Sequence, residues 1–357
     1  MGRIAVKIGS NVLTRQDGCL DITRISAIVD QVAELHKRGE QVILISSGAV
    51  ASGRSIVKAD KKLDPVSQRQ LFSAVGQAKL INKYYELFRE HSIVCGQVLT
   101  TKESLGTRMH YLNQRNCMEV MLSNGIIPII NENDTISVTE LMFTDNDELS
   151  GLVATMMRVD KLIILSNIDG IYNGNPNDSS SSVLRIVESS SDDLSDYIQT
   201  GRSSFGRGGM LTKCHIARKV AEEGIPVVIA NGKRDNILLK IIDAPDSSIF
   251  TLFVPASRAV SGVKKWIAHS EGFAKGRVKI NEGAESALKG AKATSLLLVG
   301  VIDVEGEFEK DDIVEIVNKS GERIGVGCSA YSSKNARELA GCHNVKPVIH
   351  YDYLYLD

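Results

Sequence analysis

Short apolar runs rich in β-branched residues alternate with amphipathic segments along most of this 357-residue chain. The runs cover residues 4–8, 42–45, 93–99, 126–130, 162–165 and 227–229. Strands separated by helices pair most readily in parallel, because each crossover helix returns the chain to the same end of the sheet. The pattern therefore predicts an α/β fold, a three-layer α/β/α sandwich with a mostly parallel central sheet.

The first amphipathic segment shows where its helix begins and ends. Apolar residues recur at helical spacing from Ile22 to Leu35. Asp21 is a typical N-cap and Gly39 a typical C-terminal stop, so the helix is expected between them. Two further helices are expected at residues 148–157 and 212–223.

The alternation of apolar runs and amphipathic segments stops after Val254, and the rest of the chain has a different pattern. From residue 275 the runs are short and strand-like and are separated by glycines, which predicts a small β-rich domain. The expected division is a first domain at 1–254, a linker at 255–274 and a second domain at 275–354. Within the first domain, the Ser- and Asp-rich residues 176–199 predict a solvated excursion that supplies no core.

Charge and cysteine usage exclude several classes of protein. Lys and Arg number 42 against 43 Asp and Glu, so the whole chain has no excess positive charge that would attract nucleic acid or an anionic membrane. Its six cysteines include no C-x-x-C pair, which argues against a structural zinc site and favours reduced thiols. With no apolar stretch of membrane-spanning length, the chain is expected to be cytoplasmic.

A first candidate phosphate site follows the first run. Ligands bind beyond the carboxyl ends of parallel strands, where Lys7, Gly9 and Ser10 stand. Lys7 would bring positive charge there, and Gly9 would let phosphate oxygens approach backbone N–H groups. A lysine and a glycine at a strand end are also ordinary structural features. Since neither a Walker A motif nor a complete G-x-G-x-x-G occurs, P-loop and dinucleotide-type binding have no support.

A second candidate is the glycine-rich segment at residues 206–213. Its glycines, including Gly208 and Gly209, run into a predicted helix and would place the positive end of that helix close to Lys213. The other interpretation is a glycine hinge before a surface helix whose lysine is solvated.

A third cluster consists of two polar tetrads, at residues 131–134 and 144–147. N-capping of the next helix by Asp145 or Asn146 would explain the second tetrad, but capping does not require both. Ser47 and Gly48 follow the second run and offer a hydroxyl and backbone N–H groups to an anion; an ordinary strand-to-helix cap would look the same.

Taken together and in order, these blocks resemble those of the glutamate 5-kinases, a family of the amino acid kinase superfamily. The matching blocks cover residues 6–10, 46–50, 76–77, 131–134, 145–150, 169–172 and 208–213. The resemblance extends over essentially the whole chain, because this family often carries a C-terminal PUA domain and residues 275–278, 281–284, 295–297 and 331–333 look like that module.

The resemblance implies a phosphotransferase that uses ATP and Mg²⁺, with no protein ligand for the metal. Lys7 and Lys213 would hold the nucleotide phosphates and the transferred phosphoryl group, and Asp147 would orient both lysines. The implied ATP-binding residues are Lys7, Gly9, Ser10, Ser166, Asn167, Arg207, Gly208, Gly209, Met210, Leu211, Thr212 and Lys213.

The implied acceptor is the γ-carboxylate of L-glutamate, and the product is L-glutamyl 5-phosphate, in the first step of proline biosynthesis. Ser47, Gly48, Asp134 and Asn146 fall on the family's glutamate-binding positions. A glutamate side chain has a reference pKa of about 4.3 and is already an anion at neutral pH, so no general base is needed. The protein must instead supply positive charge, alignment and exclusion of water.

The resemblance also implies partners: L-proline as a feedback inhibitor, glutamate-5-semialdehyde dehydrogenase (glutamyl phosphate reductase) as the consumer of the labile product, and assembly as a dimer or tetramer. Kinases of the same fold that act on N-acetylglutamate, aspartate, carbamate or uridylate remain alternatives. RNA binding by the PUA-like domain is another alternative. Residues 275–357 carry 11 Lys and Arg against 13 Asp and Glu, and this net negative charge does not favour RNA binding.

The chain departs from the family pattern at three places. Arg207 stands where the family usually has Thr, and Ser166-Asn167 replaces the commoner Thr-Asp. These two departures leave the details of nucleotide recognition open. The second domain also lacks the expected Pro after residues 295–297.

Overall fold

The structure, a computed structural model, describes residues 2–58, 63–102, 105, 108–136, 146–175, 178, 180–188, 209–256, 274–290 and 294–356. The chain divides into two compact units, Met1–Thr101 with Asn116–Ala259 and Lys102–Arg115 with Val260–Asp357. The sequence does not anticipate that Lys102–Arg115 groups with the second unit. The predicted division near residues 254 and 275 stays a prediction, and most of the expected linker, residues 257–273, lies outside the described residues.

An eight-stranded sheet forms the centre of the first unit, in the order β3-β4-β2-β1-β5-β7-β8-β6. Its strands are β1 (Arg3–Ile8), β2 (Gln41–Ser46), β3 (Cys95–Thr100), β4 (Ile127–Glu132), β5 (Lys161–Ser166), β6 (Ile186–Val187), β7 (Val227–Asn231) and β8 (Thr251–Phe253). Only β7 and β8 pair in antiparallel fashion among these neighbours. All six predicted runs contribute strands, and the mostly parallel sheet is confirmed.

Eight helices of the described chain belong to this part of the sequence. They are α1 (Ser10–Leu13), α2 (Ile22–Lys37), α3 (Ala49–Arg54), α4 (Pro65–Glu90), α5 (Arg108–Ser123), α6 (Asn146–Met157), α7 (Met210–Glu222) and α8 (Ile237–Asp243). The predicted ends of α2 are confirmed. The Asp21 carboxylate accepts a hydrogen bond from the backbone N–H of Arg24 at 3.1 Å, and Gly39 leaves the helix with φ at +92°.

Helices cover both faces of the sheet, because alternate strand residues point to opposite sides. Val6 and Ile8 belong to an apolar core that includes Ile28 of α2 and Leu238 of α8. Helices α6 and α7 pack against each other, and both contact strands. No helix in the described part of the chain is both long and apolar enough to cross a membrane.

The predicted solvated excursion is wrong for part of its length. Ile186–Val187 forms β6 and pairs in parallel with Leu252 and Phe253, and Val187 is fully buried. Two apolar residues were enough to add an edge strand, which the Ser-rich composition around them obscured. Residues 176, 177, 179 and 189–199 lie outside the described residues.

The second unit contains a five-stranded sheet in the order β10-β9-β11-β12-β13. Its elements are β9 (Gly276–Ile280), α9 (Glu282–Leu288), β10 (Val301–Gly306), β11 (Ile313–Val317), β12 (Arg323–Cys328), α10 (Ser333–Glu338) and β13 (Leu354–Leu356). Val278, Ile316 and Val348 lie in a buried apolar cluster of its own. The predicted β-rich C-terminal fold is confirmed.

Candidate active site

The strand order brings the carboxyl ends of β4, β2, β1, β5 and β7 to one edge of the sheet. Ile8 pairs with Ser46, and Ser166 pairs with Asn231, so these strands end at nearly the same level. A cavity of about 540 Å³ lies at this edge. The described residues that line it all belong to the first unit.

At the centre of the cavity, one carboxylate holds two lysines. Asp147, in the first turn of α6, accepts a hydrogen bond from Lys7 Nζ at one oxygen and from Lys213 Nζ at the other, the latter at 2.9 Å. The Asp147 side chain is wholly shielded from solvent. Burial alone would raise the pKa of Asp147, but the positive charges of Lys7 and Lys213 outweigh it and lower the pKa to about 2. The trio is therefore ionised at neutral pH and carries one net positive charge.

Residues predicted to bind nucleotide lie beside this trio. Ser10, Ser166, Asn167, Gly209 and Met210 all line the cavity. They stand at the ends of β1 and β5 and at the start of α7, so three separate elements converge on the same space.

Gly9 also lines the cavity, and its backbone is bonded to the neighbouring strand. Its N–H donates to the carbonyl of Leu165 at 3.0 Å, so that group is not available to a phosphate oxygen. A Cβ at Gly9 would lie 3.1 Å from the same carbonyl, which shows how closely the turn after β1 approaches β5. The missing side chain of Gly9 therefore serves close packing between the turn after β1 and β5, and its role toward a phosphate stays a prediction.

Only part of the glycine-rich segment, from Gly209 onward, lies within the described residues. Arg207 and Gly208 lie outside the described residues. Leu211 is 46% exposed, and neither Leu211 nor Thr212 lines the cavity. Lys213, one turn into α7, is the residue that reaches Asp147.

Asn11, which ends the first candidate segment Lys7-Ile8-Gly9-Ser10-Asn11 but has no predicted role of its own, lines the cavity. Its side-chain oxygen is buried and has no hydrogen-bond partner among the described residues. Buried acceptors without partners are rare, so this oxygen is suited to a donor on a bound ligand. Its position directly after Lys7-Ile8-Gly9-Ser10 was the only available signal.

An amide network forms the neighbouring wall. Asn146 Nδ2 donates to Ser47 Oγ at 3.0 Å and to Asn131 Oδ1 at 2.9 Å, and Asn131 Nδ2 donates to Gln77 Oε1 at 2.8 Å. Asn146 is the first residue of α6, and its amide nitrogen donates toward β2 and β4. Capping of α6 by Asp145 stays a prediction, because Asp145 lies outside the described residues. The network joins the ends of β2 and β4 to α6 and α4.

Farther along this wall, an arginine lies between two buried carboxylates. Arg69 Nε donates to Asp134 Oδ1 at 2.7 Å, and Arg69 Nη2 donates to Glu132 Oε2 at 3.1 Å. Ser73 Oγ donates to the other Asp134 oxygen at 3.2 Å. One guanidinium and two carboxylates leave this group, which we call the acidic group, with one net negative charge.

Sequence reasoning missed the helix that supplies these partners. Arg69, Ser73 and Gln77 recur at every fourth position, so they lie on one face of α4. This polar stripe was a readable signal, but a polar stripe usually marks a solvent face. Only tertiary packing turns it toward the cavity.

Two glycines bring α4 against α3. A Cβ at Gly53 would lie 1.8 Å from the carbonyl oxygen of Phe72, and one at Gly76 would lie 1.8 Å from that of Ala49. No side chain fits at either position. Gly48, the N-cap of α3, has φ at +105°. The conformation of the loop that carries Ser47 therefore depends both on this turn and on the contact between α3 and α4.

Among the described residues, no group of three or more His, Cys, Asp or Glu side chains is arranged to hold a metal ion. The lysines and amides around the cavity are instead donors to anions. Their geometry suits oxyanions of a phosphate or a carboxylate.

Comparisons with known proteins agree with this geometry. A model of the "Amino acid kinase family" matches residues 2–231, and one of the "PUA domain" matches residues 276–351. The chain is 67% identical over 355 residues to the glutamate 5-kinase of Bacteroides thetaiotaomicron, covering 99% of this chain and 98% of that protein. It is 47% identical over 359 residues to the glutamate 5-kinase of Chlorobaculum tepidum, covering 99% and 97%.

Among solved structures, the T. acidophilum isopentenyl phosphate kinase product complex superposes with a TM-score of 0.50 at 15% sequence identity. The match covers 70% of this chain and 99% of that one. At this identity the likeness concerns the fold alone.

Proposed function

The chain belongs to the amino acid kinase family, and from that premise we propose that it acts as a glutamate 5-kinase. It phosphorylates the γ-carboxylate of L-glutamate with ATP, giving L-glutamyl 5-phosphate and ADP. The observation that carries this function is a single cavity that joins the Lys7–Asp147–Lys213 trio to the acidic group of Arg69, Glu132 and Asp134. One end suits a phosphoryl group and a carboxylate, and the other suits an ammonium group.

The chemistry requires little of the protein beyond positive charge and alignment. A carboxylate oxygen of glutamate bonds to the γ-phosphorus while the bond from that phosphorus to the bridging oxygen breaks and ADP leaves. Glutamate is ionised at neutral pH, with a reference pKa of about 4.3, so no proton has to be removed. The barrier comes from bringing two anions together, which the ammonium groups of Lys7 and Lys213 offset.

The described residues fit an ATP molecule. Lys7 and Lys213 would contact its phosphates, while Ser10, Asn11 and Asn167 add polar groups along the same wall. Mg²⁺ would arrive bound to the phosphate oxygens and would neutralise part of their charge. Asp147 would keep the two lysines apart and oriented before the nucleotide binds.

The acidic group favours a free amino acid. The ammonium group of L-glutamate would find one net negative charge at Asp134 and Glu132. The amide of N-acetylglutamate is neutral and would gain no ionic attraction from Asp134 and Glu132. Free glutamate is therefore the preferred acceptor over its acetylated form.

RNA binding through the second unit is not favoured. Two basic residues of that unit are already paired, Lys275 with Asp312 at 3.1 Å and Arg277 with Glu315 at 2.8 Å. Paired cations release fewer counterions on contact with phosphates, so they contribute less affinity for RNA.

Hydroxylamine trapping tests the reaction, since hydroxylamine converts acyl phosphates into coloured hydroxamates. The protein is incubated with MgATP and glutamate, N-acetylglutamate, aspartate, or bicarbonate with ammonia. We expect hydroxamate with glutamate only. A folded, ATP-binding protein that gives no glutamate-dependent product would refute the assignment and direct the search to a related acceptor.

The proposal extends to regulation and setting. L-Proline would inhibit by competing with glutamate, and the labile product would pass to glutamate-5-semialdehyde dehydrogenase in cytoplasmic proline synthesis, with the kinase itself a dimer or tetramer. Binding of radiolabelled glutamate at increasing proline concentrations tests the first point. Absence of competition would remove it.

A further inference from the structure

Arg54 is a charged residue of the cavity wall to which the proposed reaction assigns no role. It is the last residue of α3, and its side chain lines the cavity. Among the described residues, no carboxylate lies within ion-pair distance of it. Its guanidinium carbon lies 5.8 Å from the centre of the Phe72 ring, an arrangement that a cation and an aromatic face favour.

The base of this side chain is rigidly placed. Gly53, the preceding residue, packs so closely on the Phe72 carbonyl that a Cβ would lie 1.8 Å from it. Phe72 is only 4% exposed and lies one helical turn after Arg69. Arg54 therefore contacts α4 at Phe72, three positions after Arg69, and lines the same cavity as the acidic group.

The charges around the cavity then form a pattern. Lys7 and Lys213 on Asp147 leave one positive charge, the acidic group leaves one negative charge, and Arg54 adds one positive charge in the same cavity. Glutamate carries the complementary set. Its ammonium and α-carboxylate share one carbon, and its γ-carboxylate lies farther along the chain.

We propose that Arg54 binds the α-carboxylate of the acceptor and thereby selects a dicarboxylic amino acid. This inference rests on the proposed function and deepens it. The ammonium group would lie at Asp134 and Glu132, and the adjacent α-carboxylate would meet the guanidinium of Arg54. Both groups of the α-carbon would then be bound, and the γ-carboxylate would extend toward Lys7 and Lys213.

The test compares the wild-type protein with Arg54→Gln. A hydrogen bond to a charged group accounts for roughly tenfold in affinity, so the KM for glutamate should rise about tenfold while the KM for ATP changes less than about twofold. Two analogues used as inhibitors of hydroxamate formation locate the lost contact. L-2-Aminobutyrate keeps the α-carboxylate and should inhibit the variant about tenfold less well; 4-aminobutyrate lacks that group and should inhibit both proteins equally.

Arg89→Gln is the matched control, because Arg89 is an exposed arginine of α4 that does not line the cavity. Arg89→Gln should leave the KM values for glutamate and ATP and the inhibition by both analogues unchanged. Arg54→Lys, which keeps the positive charge, should recover part of the affinity for glutamate that Arg54→Gln loses. An unchanged KM for glutamate in Arg54→Gln would overturn the proposal, as would equal weakening of both analogues. Hydroxamate formation by the wild-type protein tests the kinase function separately.

Discussion

Asp147 binds two lysine ammonium groups on a side chain that solvent does not reach. A buried carboxylate with a single partner would be costly, whereas two partners lower its pKa to about 2. The same arrangement keeps Lys7 and Lys213 within reach of one phosphoryl group. At the scale of a single residue, Asp147 therefore serves both stability and chemistry.

Lys213→Ala should lower kcat by roughly 10²- to 10³-fold while the KM for glutamate changes only a few-fold, because its charge acts chiefly on the transferring phosphoryl group. Steady-state kinetics with the hydroxamate assay measure both constants. Lys219→Ala, on the same helix but away from the cavity, is the control. Equal effects on kcat and on glutamate affinity would argue against a role in the transition state.

The depressed pKa of Asp147 predicts how stability depends on pH. The folded-state pKa of about 2 lies below the ordinary value of 3.8, so the stabilisation is complete above pH 3.8 and is lost as pH falls through 2. Its size is about 2 kcal/mol, from 1.36 kcal/mol per pH unit.

Urea unfolding between pH 2 and pH 6 measures this dependence. Asp147→Asn should lose it, whereas Asp235→Asn, at a side chain that is 91% exposed, should retain the wild-type slope. If the Asp147→Asn and wild-type curves run parallel over this range, the carboxylate is not the group responsible.

Helix α4 is the element that shapes the acceptor end of the cavity. One stripe of it holds Glu132, Asp134 and Asn131, and two glycine contacts fix it to α3. A displacement of α4 would move the carboxylates and the Ser47 loop together. The element, more than any single residue, sets the shape of the acceptor site.

Gly76→Ala tests this coupling. The added methyl would lie 1.8 Å from the Ala49 carbonyl, so the helices must separate, at a cost of about 1–3 kcal/mol or more. We expect a lower free energy of unfolding and a raised KM for glutamate, with a much smaller change in the KM for ATP.

Ala74→Gly provides the control on the same helix. Ala74 is exposed, and its replacement should cost about 1 kcal/mol through helix propensity alone. Its KM for glutamate should match the wild type. A Gly76→Ala protein with unchanged stability and unchanged KM would show that the contact is not needed.

Among the described residues, each unit has a buried apolar core of its own. Every described residue that lines the cavity lies in the first unit. Ligand binding should therefore stabilise the first unit directly. The stability of the second unit should therefore not affect the KM values for glutamate and ATP.

Ile316→Ala, at a fully buried position of the second core, should destabilise that unit by about 2–5 kcal/mol. Calorimetry in the presence of ATP and glutamate measures the loss, and KM values should stay within about twofold of the wild type. Ile163→Ala, equally buried in the first core, should impair both stability and activity. A large rise in KM caused by Ile316→Ala would contradict the separation.

The sequence by itself predicted the strands β1 to β5 and β7 and the helices α2, α6 and α7, since apolar periodicity is a local property. Strand-end reasoning also predicted Lys7, Ser47 and Asp134 at one edge, and the family resemblance added Asn146, Asp147, Ser166 and Lys213. Local composition did not predict β6, because only two apolar residues, Ile186 and Val187, form that strand within a Ser-rich segment.

Tertiary structure decided which of those residues meet. Lys7 and Lys213 reach Asp147 across 140 and 66 positions of sequence, and Arg69 reaches Asp134 across 65. It also occupied the N–H of Gly9, directed the Asn146 amide toward β2 and β4 and brought α4 to the cavity. Such contacts depend on strand order, register and helix packing, and no local pattern of residues encodes these.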